Sequence, residues 1–476
     1  MARSFLFYDL ETFGKDPCKT RVAQFAAIRT DTDLRPVGPT ISFYIQPADD
    51  LLPSPHATCI TKITPQHAKA EGIIEADAFA KIYNSMMEPE TCTLGYNSLR
   101  FDDNFIRYGL YRNFFDPYAR EWSHGNTRSD ILDILRCAYA LRPYGITWPL
   151  RDNGLPSFRL EDLALANQAR DGQAHEATSD VLATIAMARL VRQHQPRLWE
   201  YCLSLRYKNN CAKILQNADN LPVLHFSAHY GAKRMCVAAV LVIGIHPHYA
   251  QCSLAVDLDT DIDQLLDILT QPSSQIAPIS APYTSLPSGI QLIHHNRCQM
   301  LVCWQHLRQQ DFDRLAINHT QILEKAKKLR PYATTLQLKL HDILRSPPAK
   351  PQPDADASLY EGFLGESDRR VMADIRRCPP EQLASMQSRL KDTRLHTLLA
   401  RYQARNWPNS LQGDAENHWQ DYRKQRLVCG NGTSEYTLAE YDLTIQDLRT
   451  HNTHDQNQTP LLDALEDWGK SLRQGL

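Results

Sequence analysis

Two acidic residues follow an apolar run near the start of the chain, and this combination limits the possible folds more than any other feature. The run Phe5–Tyr8 is aromatic and apolar, as is typical of a strand buried on both faces. Asp9 and Glu11 come directly after it, and residues i and i+2 of a strand point to the same face. Two buried anions repel each other unless a cation lies between them. Because D-x-E also occurs by chance where a strand runs into solvent, the pair indicates a metal site only if further acids join it.

The composition predicts a soluble multidomain protein. A chain of 476 residues is too long for one hydrophobic core and should form two to four domains. Its net charge of -2 neither supports nor excludes a nucleic-acid partner. The twelve cysteines form no C-x-x-C pair and no signal segment follows Met1, so we expect reduced thiols and a cytoplasmic location. The longest apolar run, Val237–Ile245, is too short to cross a membrane.

The pattern of the first 100 residues predicts β-strands followed by helices. Val22–Thr30 and Thr40–Gln46 are β-rich and should form an antiparallel meander with the first strand. Helical spacing over Pro65–Gly72 and Ala76–Met87 precedes a short strand over Thr91–Tyr96.

Three more acids and a histidine follow in this β-then-α segment. Asp102 and Asp103 begin a predicted helix, where the helix dipole favours a carboxylate without any functional role. His175 precedes Asp180 at the start of an amphipathic run over Val181–Val191, and a lone histidine there is most often a surface or capping residue. It is the combination of these residues with Asp9 and Glu11 that indicates a functional site.

Carboxylates without cysteine suit Mg²⁺ or Mn²⁺ rather than zinc. Two such ions, about 3.5–4 Å apart, can stabilise both the attacking and the leaving oxygen of a phosphodiester. A nearby imidazole can accept the proton of the attacking water, because its pKa lies close to working pH. The residues therefore predict phosphoryl transfer to water.

Asp9-x-Glu11, Asp102 after Phe101, and His175 five positions before Asp180 resemble the three motifs of the DEDDh exonuclease superfamily. Further stretches resemble the bacterial exonuclease I family in particular, namely 8–14, 23–31, 95–103, 111–114, 155–161, 359–363 and 401–408. The resemblance implies an α/β multidomain fold with an RNase H-like exonuclease domain, an SH3-like β domain and a C-terminal helical domain. It also implies 3′-to-5′ degradation of single-stranded DNA to 5′-mononucleotides, in DNA repair and recombination.

The resemblance implies a role for each site residue. The metal ligands for two Mg²⁺ ions, which Mn²⁺ can replace, would be Asp9, Glu11, Asp102 and Asp180, and the general base would be His175. Asp103 is left as a helix-capping residue. Candidates for DNA binding are Glu11, Arg159, Arg142, Tyr144 and Trp148. Ser129 stands where the family usually has tryptophan, so an aromatic contact to DNA or to the core is missing or supplied elsewhere.

The rest of the chain predicts a β domain, a linker and a helical bundle. β-rich runs cover Val223–Tyr230, Met235–Ile245, Cys252–Asp257 and Gln291–Trp304, and a helix follows over Thr320–Leu329. Four prolines after Ser346 predict a linker. Helical patterns then cover 368–377, 380–391, 394–405, 415–426, 438–449 and 460–472. The expected domains are 1–195, 196–345, the linker 346–356, and 357–476.

Two other functions fit the same catalytic residues less well. A DEDDh ribonuclease or a proofreading exonuclease would use the same chemistry, but the two later domains favour exonuclease I. A non-catalytic nucleic-acid-binding protein would gain nothing from anions facing phosphate. The resemblance also implies that the chain is a monomer and binds the acidic C-terminal tail of single-stranded DNA-binding protein.

Overall fold

The structure, a computed structural model, describes residues 3–169, 176–216, 221–269, 286–344, 353–430, 432–451 and 458–476. The chain forms two compact units. The first contains Met1–Thr127, Asp171–Leu182 and Gln352–Leu476, and the second contains Arg128–Arg170 and Ala183–Pro351. The N-terminal and C-terminal parts of the chain therefore share one unit.

Ten strands lie in the described residues. They are β1 (Ser4–Thr12), β2 (Val22–Thr30), β3 (Ile41–Tyr44), β4 (Thr91–Gly95), β5 (Thr127–Asp130), β6 (Val223–Phe226), β7 (Val237–Ile245), β8 (Cys252–Asp257), β9 (Ile290–His294) and β10 (Met300–Cys303).

Eighteen α-helices lie in the described residues. Those up to residue 216 are α1 (Pro55–Thr61), α2 (Pro65–Glu71), α3 (Glu75–Met86), α4 (Asp102–Arg112), α5 (Ile131–Leu141), α6 (Leu160–Ala166), α7 (Ala177–His194), α8 (Pro196–Ser204) and α9 (Lys208–Gln216). Those that follow are α10 (Ile262–Leu266), α11 (Gln309–Leu315), α12 (His319–Leu329), α13 (Ala333–Leu344), α14 (Glu366–Ile375), α15 (Thr393–Asn406), α16 (Asp414–Lys424), α17 (Leu438–His451) and α18 (Thr459–Gln474).

The sheet of the first unit runs in the order β3-β2-β1-β4. β1 is antiparallel to β2, with Tyr8 opposite Ala27, and parallel to β4, with Phe7 opposite Leu94. β2 is antiparallel to β3, so the predicted meander is confirmed. The central strand β1 is buried because α3 and α4 cover the sheet, and Phe79 and Phe105 pack into the same core as β1.

The C-terminal helices of the first unit pack against its N-terminal part. Tyr111 and Phe114, at the end of α4, share a core with α14 and α15. Leu52 shares another core with α17 and α18. The predicted helical segments are confirmed, except that Pro380–Arg389 is a 3₁₀-helix. Sequence patterns identified these helices but gave no sign that they pack on the N-terminal part.

A buried group of charged side chains, which we call the arginine network, also joins the two ends of the chain within this unit. Arg405 donates to Asp356 at 2.7 Å and to Asp50 at 2.8 Å. Arg401 lies 3.0 Å from Asp356. The remaining members are Arg426, 3.5 Å from Asp50, and Arg21, 3.7 Å from Asp356. Both carboxylates are almost inaccessible to solvent, so each buried anion has arginines around it.

The expected linker at 346–356 ends earlier than we predicted. Residues 345–352 lie outside the described residues, but Asp354 caps a 3₁₀-helix over Ala355–Tyr360 and pairs with Arg401. Asp356 belongs to the arginine network. Residues 354–356 are therefore part of the folded first unit.

The second unit contains a five-stranded antiparallel sheet in the order β10-β6-β7-β8-β9. It forms the β domain that the sequence predicts, with Gln291–Trp304 divided into two strands. Helices α12 and α13 cover one face, where Leu329 and Leu336 are fully buried. Lys325 donates to the carbonyl of Leu258 and Lys328 donates to Asp263, so these two lysines of α12 bind within the unit.

Among the described residues, no helix combines the length and the apolar character that crossing a membrane requires.

Candidate active site

Three carboxylates of the first unit converge, and we call them the acid cluster. Asp9 and Glu11 lie on β1, and Asp180 lies in the first turn of α7. Their ligand oxygens all lie within 4.8 Å of one another. The alternation of β1 places the first two carboxylates on one face, as predicted.

Burial and like charges dominate the electrostatics of the acid cluster. Burial, followed by the negative charges of Asp102 and Asp180, raises the pKa of Asp9 well above its ordinary value. Burial, followed by the charges of Asp9, Asp180 and Glu176, raises the pKa of Glu11 to about 9. A divalent cation would relieve this repulsion, and carboxylate oxygens are the ligands that Mg²⁺ and Mn²⁺ prefer. The donor set therefore fits such an ion.

Asp102 is the first residue of α4 and is buried, with 4% of its surface exposed. Its charge acts on Asp9, so it lies close to the acid cluster. It is not part of the group whose oxygens lie within 4.8 Å of one another. Three of the four predicted metal ligands therefore lie in the acid cluster, and the fourth, Asp102, lies next to it.

Asp103 has a different role from the helix-capping one that we expected. Its Oδ1 accepts hydrogen bonds from the Tyr8 hydroxyl at 2.6 Å and from Arg120 Nη2 at 2.5 Å. Arg120 is fully buried. Burial raises the pKa of Tyr8 well above its ordinary value, so Tyr8 remains a donor. The Tyr8 hydrogen bond ties β1 to the start of α4, and the ion pair with Arg120 neutralises the buried charge of Asp103. Sequence reasoning missed the Tyr8 contact because its partners are 95 positions apart in the chain.

His175, the predicted general base, lies outside the described residues. The structure describes the chain again from Glu176, whose carboxylate accepts from the Ser179 backbone N–H at 3.1 Å. Glu176 thus caps the helix that carries Asp180. We did not single out this residue from the sequence, because glutamate is not among the residues that are preferred at the start of a helix as caps.

The other predicted DNA-binding residues all belong to the second unit, and they divide into two pairs. Arg142 pairs with Asp311 at 2.5 Å. The Trp148 indole N–H donates to the carbonyl of Pro143, and its ring packs edge-on against Tyr139. These two side chains have structural partners inside the unit.

Tyr144 and Arg159 are the exposed pair, with 82% of Tyr144 and 70% of the Arg159 side chain accessible. Arg159 precedes α6, lies 3.5 Å from Glu161 in an exposed ion pair, and lines a surface cavity of about 520 Å³ together with Arg151 and Asp162. Ser129, where the resemblance led us to expect a tryptophan, is fully buried in β5, so its side chain does not reach the protein surface.

Three family models match the chain. They are an exonuclease domain over residues 6–188, an exonuclease I SH3-like domain over 206–346 and an exonuclease I C-terminal domain over 353–472. Together they span nearly the whole chain in the order that the sequence predicts.

Known proteins resemble the chain along its full length. Exodeoxyribonuclease I of Escherichia coli K12 is 39% identical over 473 residues, which cover 98% of each chain. A zinc-bound structure of the E. coli exonuclease I complex with single-stranded DNA has a TM-score of 0.91 at 38% identity, covering 99% of this chain and all of that one. A structure of SSB/exonuclease I with the inhibitor CFAM has a TM-score of 0.89 at 38% identity and the same coverage.

Proposed function

The chain belongs to the exonuclease I family, and we propose that it hydrolyses single-stranded DNA from the 3′ end, releasing 5′-mononucleotides with the help of two divalent metal ions. The relative and the solved structures support DNA as the substrate, because one is an exodeoxyribonuclease and another holds single-stranded DNA. A role in DNA repair and recombination would follow from this activity.

The geometry of the acid cluster is the main support for the proposed metal-dependent hydrolysis. Asp9, Glu11 and Asp180 lie within 4.8 Å of one another in the segment that matches the exonuclease model. Neighbouring anions raise the pKa of two of them, which is costly for a protein unless the site binds a cation. Mg²⁺ is the ion that we propose, with Mn²⁺ as a substitute.

Each of the site residues would have its own role in the hydrolysis. Asp9, Glu11 and Asp180 hold the metal, and Asp102 adds its negative charge beside Asp9. Bound ions supply a polarised water and stabilise the charge that develops on the phosphate oxygens. The hydrogen bond from Tyr8 to Asp103, whose charge Arg120 balances, keeps the start of α4, and with it Asp102, fixed against β1. His175 would accept the proton of the attacking water.

For the second unit we propose that Tyr144 and Arg159 contact the DNA strand directly. An exposed ring can stack on a base, and an exposed guanidinium can bind a phosphate. Arg142 and Trp148 would contribute by a different route, since each is half-buried and bound to a partner in the unit, whereas the ion pair of Arg159 with Glu161 is exposed. Their predicted role in DNA binding then requires that they exchange these partners for DNA.

We further propose single-stranded DNA-binding protein as a partner, through its acidic C-terminal tail. The solved structure of SSB with exonuclease I supports this partner. Release of nucleotides from DNA coated with that protein should be faster than from DNA coated with a variant that lacks its last residues. Equal rates on both coated substrates would argue against the partner.

The proposed function is tested with matched oligonucleotides. A 5′-labelled single strand should shorten progressively in Mg²⁺ and stay intact in EDTA, while a 3′-blocked strand, a blunt duplex and an RNA of the same sequence should resist. Chromatography should identify 5′-mononucleotides as the product. Comparable degradation of the RNA would favour the ribonuclease alternative, and binding without degradation would favour a non-catalytic protein.

A further inference from the structure

The end of the strand that carries Asp9 and Glu11 is irregular. β1 ends at Thr12, and its pairing with β2 shifts register between Glu11 and Thr12. The extra residue is Ala23 of β2, and beyond it the Phe13 backbone N–H donates to the carbonyl of Arg21 at 2.9 Å. The regular register therefore ends at Glu11, and the loop that follows Phe13 contributes to where this end of β1 lies.

A glutamate from the far C-terminal part of the first unit holds that loop. Oε1 of Glu435 accepts from the backbone N–H of Lys15 at 2.8 Å and from that of Asp16 at 2.7 Å. Burial raises the pKa of Glu435, and the two backbone N–H groups counteract this by stabilising its charged form. Hydrogen bonds to a charged acceptor are about twice as strong as neutral ones.

Gly14 gives Glu435 the room to make these contacts. A Cβ at residue 14 would lie 2.7 Å from Cδ and 2.8 Å from Oε1 of Glu435, closer than atoms can approach. Gly14 does not have the left-handed backbone that favours glycine. Alanine would therefore suit the backbone at this position, and the nearest atoms that its methyl group would meet are those of the Glu435 carboxylate.

Further hydrogen bonds hold the same loop on both sides of Gly14. The Thr12 hydroxyl donates to the carbonyl of Gly14 at 2.7 Å, and the Ser54 backbone N–H donates to that of Phe13 at 2.6 Å. Arg426 donates to the carbonyl of Lys19 at 2.7 Å. The loop is thus held from the C-terminal part of the unit by a carboxylate near its start and by a guanidinium near its end.

We propose that Glu435 is a positioning residue for the metal site, which keeps the carboxylate of Glu11 beside those of Asp9 and Asp180. Only Thr12 and Phe13 separate Glu11 from Gly14, so a displacement of the loop passes directly to the end of β1. This inference rests on the proposed function of the acid cluster as a metal site. It assigns to the C-terminal domain a role in metal binding in addition to any contact with DNA.

Mn²⁺ binding to the full chain, measured by calorimetry without DNA, tests the proposal. Glu435→Ala should weaken Mn²⁺ affinity roughly 10–100-fold, as loss of a residue that supports metal ligands usually does. Glu435→Gln should keep most of the affinity, because an amide oxygen can still accept both hydrogen bonds. Glu440→Gln is the matched control, since Glu440 bonds only within its own segment to Thr437, and it should bind Mn²⁺ like the wild type.

A double-mutant cycle separates this contact from other effects. Gly14→Ala should weaken Mn²⁺ binding about as much as Glu435→Ala, because the new methyl group displaces the carboxylate. The double variant should be no worse than Glu435→Ala alone, since the clash disappears with the carboxylate. Additive losses would show that the two residues act independently and would overturn the proposal.

The outcomes distinguish this inference from the proposed function. Absence of Mn²⁺ binding in the wild type, or unchanged binding in Asp9→Ala, would refute the metal site itself. Wild-type affinity in Glu435→Ala, measured well below the melting temperature of both proteins, would refute only the positioning role. If Glu435→Ala does not fold, Gly14→Ala decides the question, and unchanged affinity in that variant would equally overturn the proposal.

Discussion

Two groups of buried carboxylates lie in the same unit, and their surroundings shift the pKa in opposite directions. In the acid cluster, burial and neighbouring anions raise the pKa of Asp9 and Glu11. In the arginine network, burial alone would raise the pKa of Asp50 and Asp356, but Arg405 and its neighbours hold both well below the ordinary range. Burial of an acid therefore does not by itself indicate a function.

The difference lies in which partners the fold supplies. The arginine network satisfies its anions with side chains, so its charges contribute to holding the two ends of the chain together. The acid cluster places like charges side by side, which costs stability until a cation binds. We infer that the first group is structural and the second functional, and the following predictions test this contrast.

The largest effect should come from the acid cluster. Asp9→Ala should lower nuclease activity by about 10³-fold or more, because the bound metal supplies several kcal/mol of transition-state stabilisation. Single-turnover degradation of a labelled strand in Mg²⁺ measures the loss. The variant should remain folded by circular dichroism. Near-normal activity would remove the basis for treating the cluster as catalytic.

Loss of the proposed base should affect activity but not stability. His175→Ala should lower the rate by about 10²–10⁴-fold, the usual contribution of a general base. Binding of a single strand should stay close to normal, because the metal ligands remain. Rate against pH, compared between variant and wild type, checks the assignment, since the variant should lose the acidic limb of the profile. An unchanged rate at neutral pH would leave His175 with a capping role.

A substitution in the arginine network should lower the stability of the protein, whereas the substitutions above lower its activity. Asp356→Ala leaves Arg401, Arg405 and Arg21 with one carboxylate fewer in a buried site, so it should lower the free energy of unfolding by about 3–5 kcal/mol. Urea denaturation measures the change. Glu366→Gln, which breaks an exposed pair with Arg370, is the control and should have no measurable effect. An unchanged free energy of unfolding in Asp356→Ala would mean that the arginine network does not stabilise the unit.

The smallest effect should be a gain in stability. In EDTA, Asp9→Asn should raise the free energy of unfolding by about 0.5–2 kcal/mol, since it removes one of several mutually repelling charges. In Mn²⁺ the wild type should instead be more stable than Asp9→Asn, because it gains binding energy that the variant lacks. Thermal unfolding under both conditions measures the two differences. A variant that is less stable than the wild type in EDTA would contradict the contrast between the two groups.

Local sequence patterns were sufficient for most elements of the fold. The predicted bounds of β2 match the structure because the strand is a continuous β-rich run. Helix α4 begins at Asp102 as expected, because acidic residues are favoured in the first turn of a helix. Helix α1 was missed although Ser54 and Pro55 form a standard helix start. The equally short α2 was predicted, so the helix-start signal at Ser54 was overlooked and the length of α1 does not explain the miss.

Contacts between distant residues could not be predicted. The D-x-E pattern identified Asp9 and Glu11 because both lie on one strand, but Arg405 and Asp50 are 355 positions apart. Glu435 and Lys15 are 420 positions apart, and neither stretch has a pattern that refers to the other. Such pairs depend on packing of the whole unit, which no local sequence pattern encodes.

Anomalous scattering from a crystal soaked in Mn²⁺ would locate a bound ion without reference to activity. We expect peaks within bonding distance of the carboxylates of Asp9, Glu11 and Asp180, and none beside Asp50 or Asp356. A map without a peak at the acid cluster, or with the ion bound at the arginine network instead, would contradict this expectation.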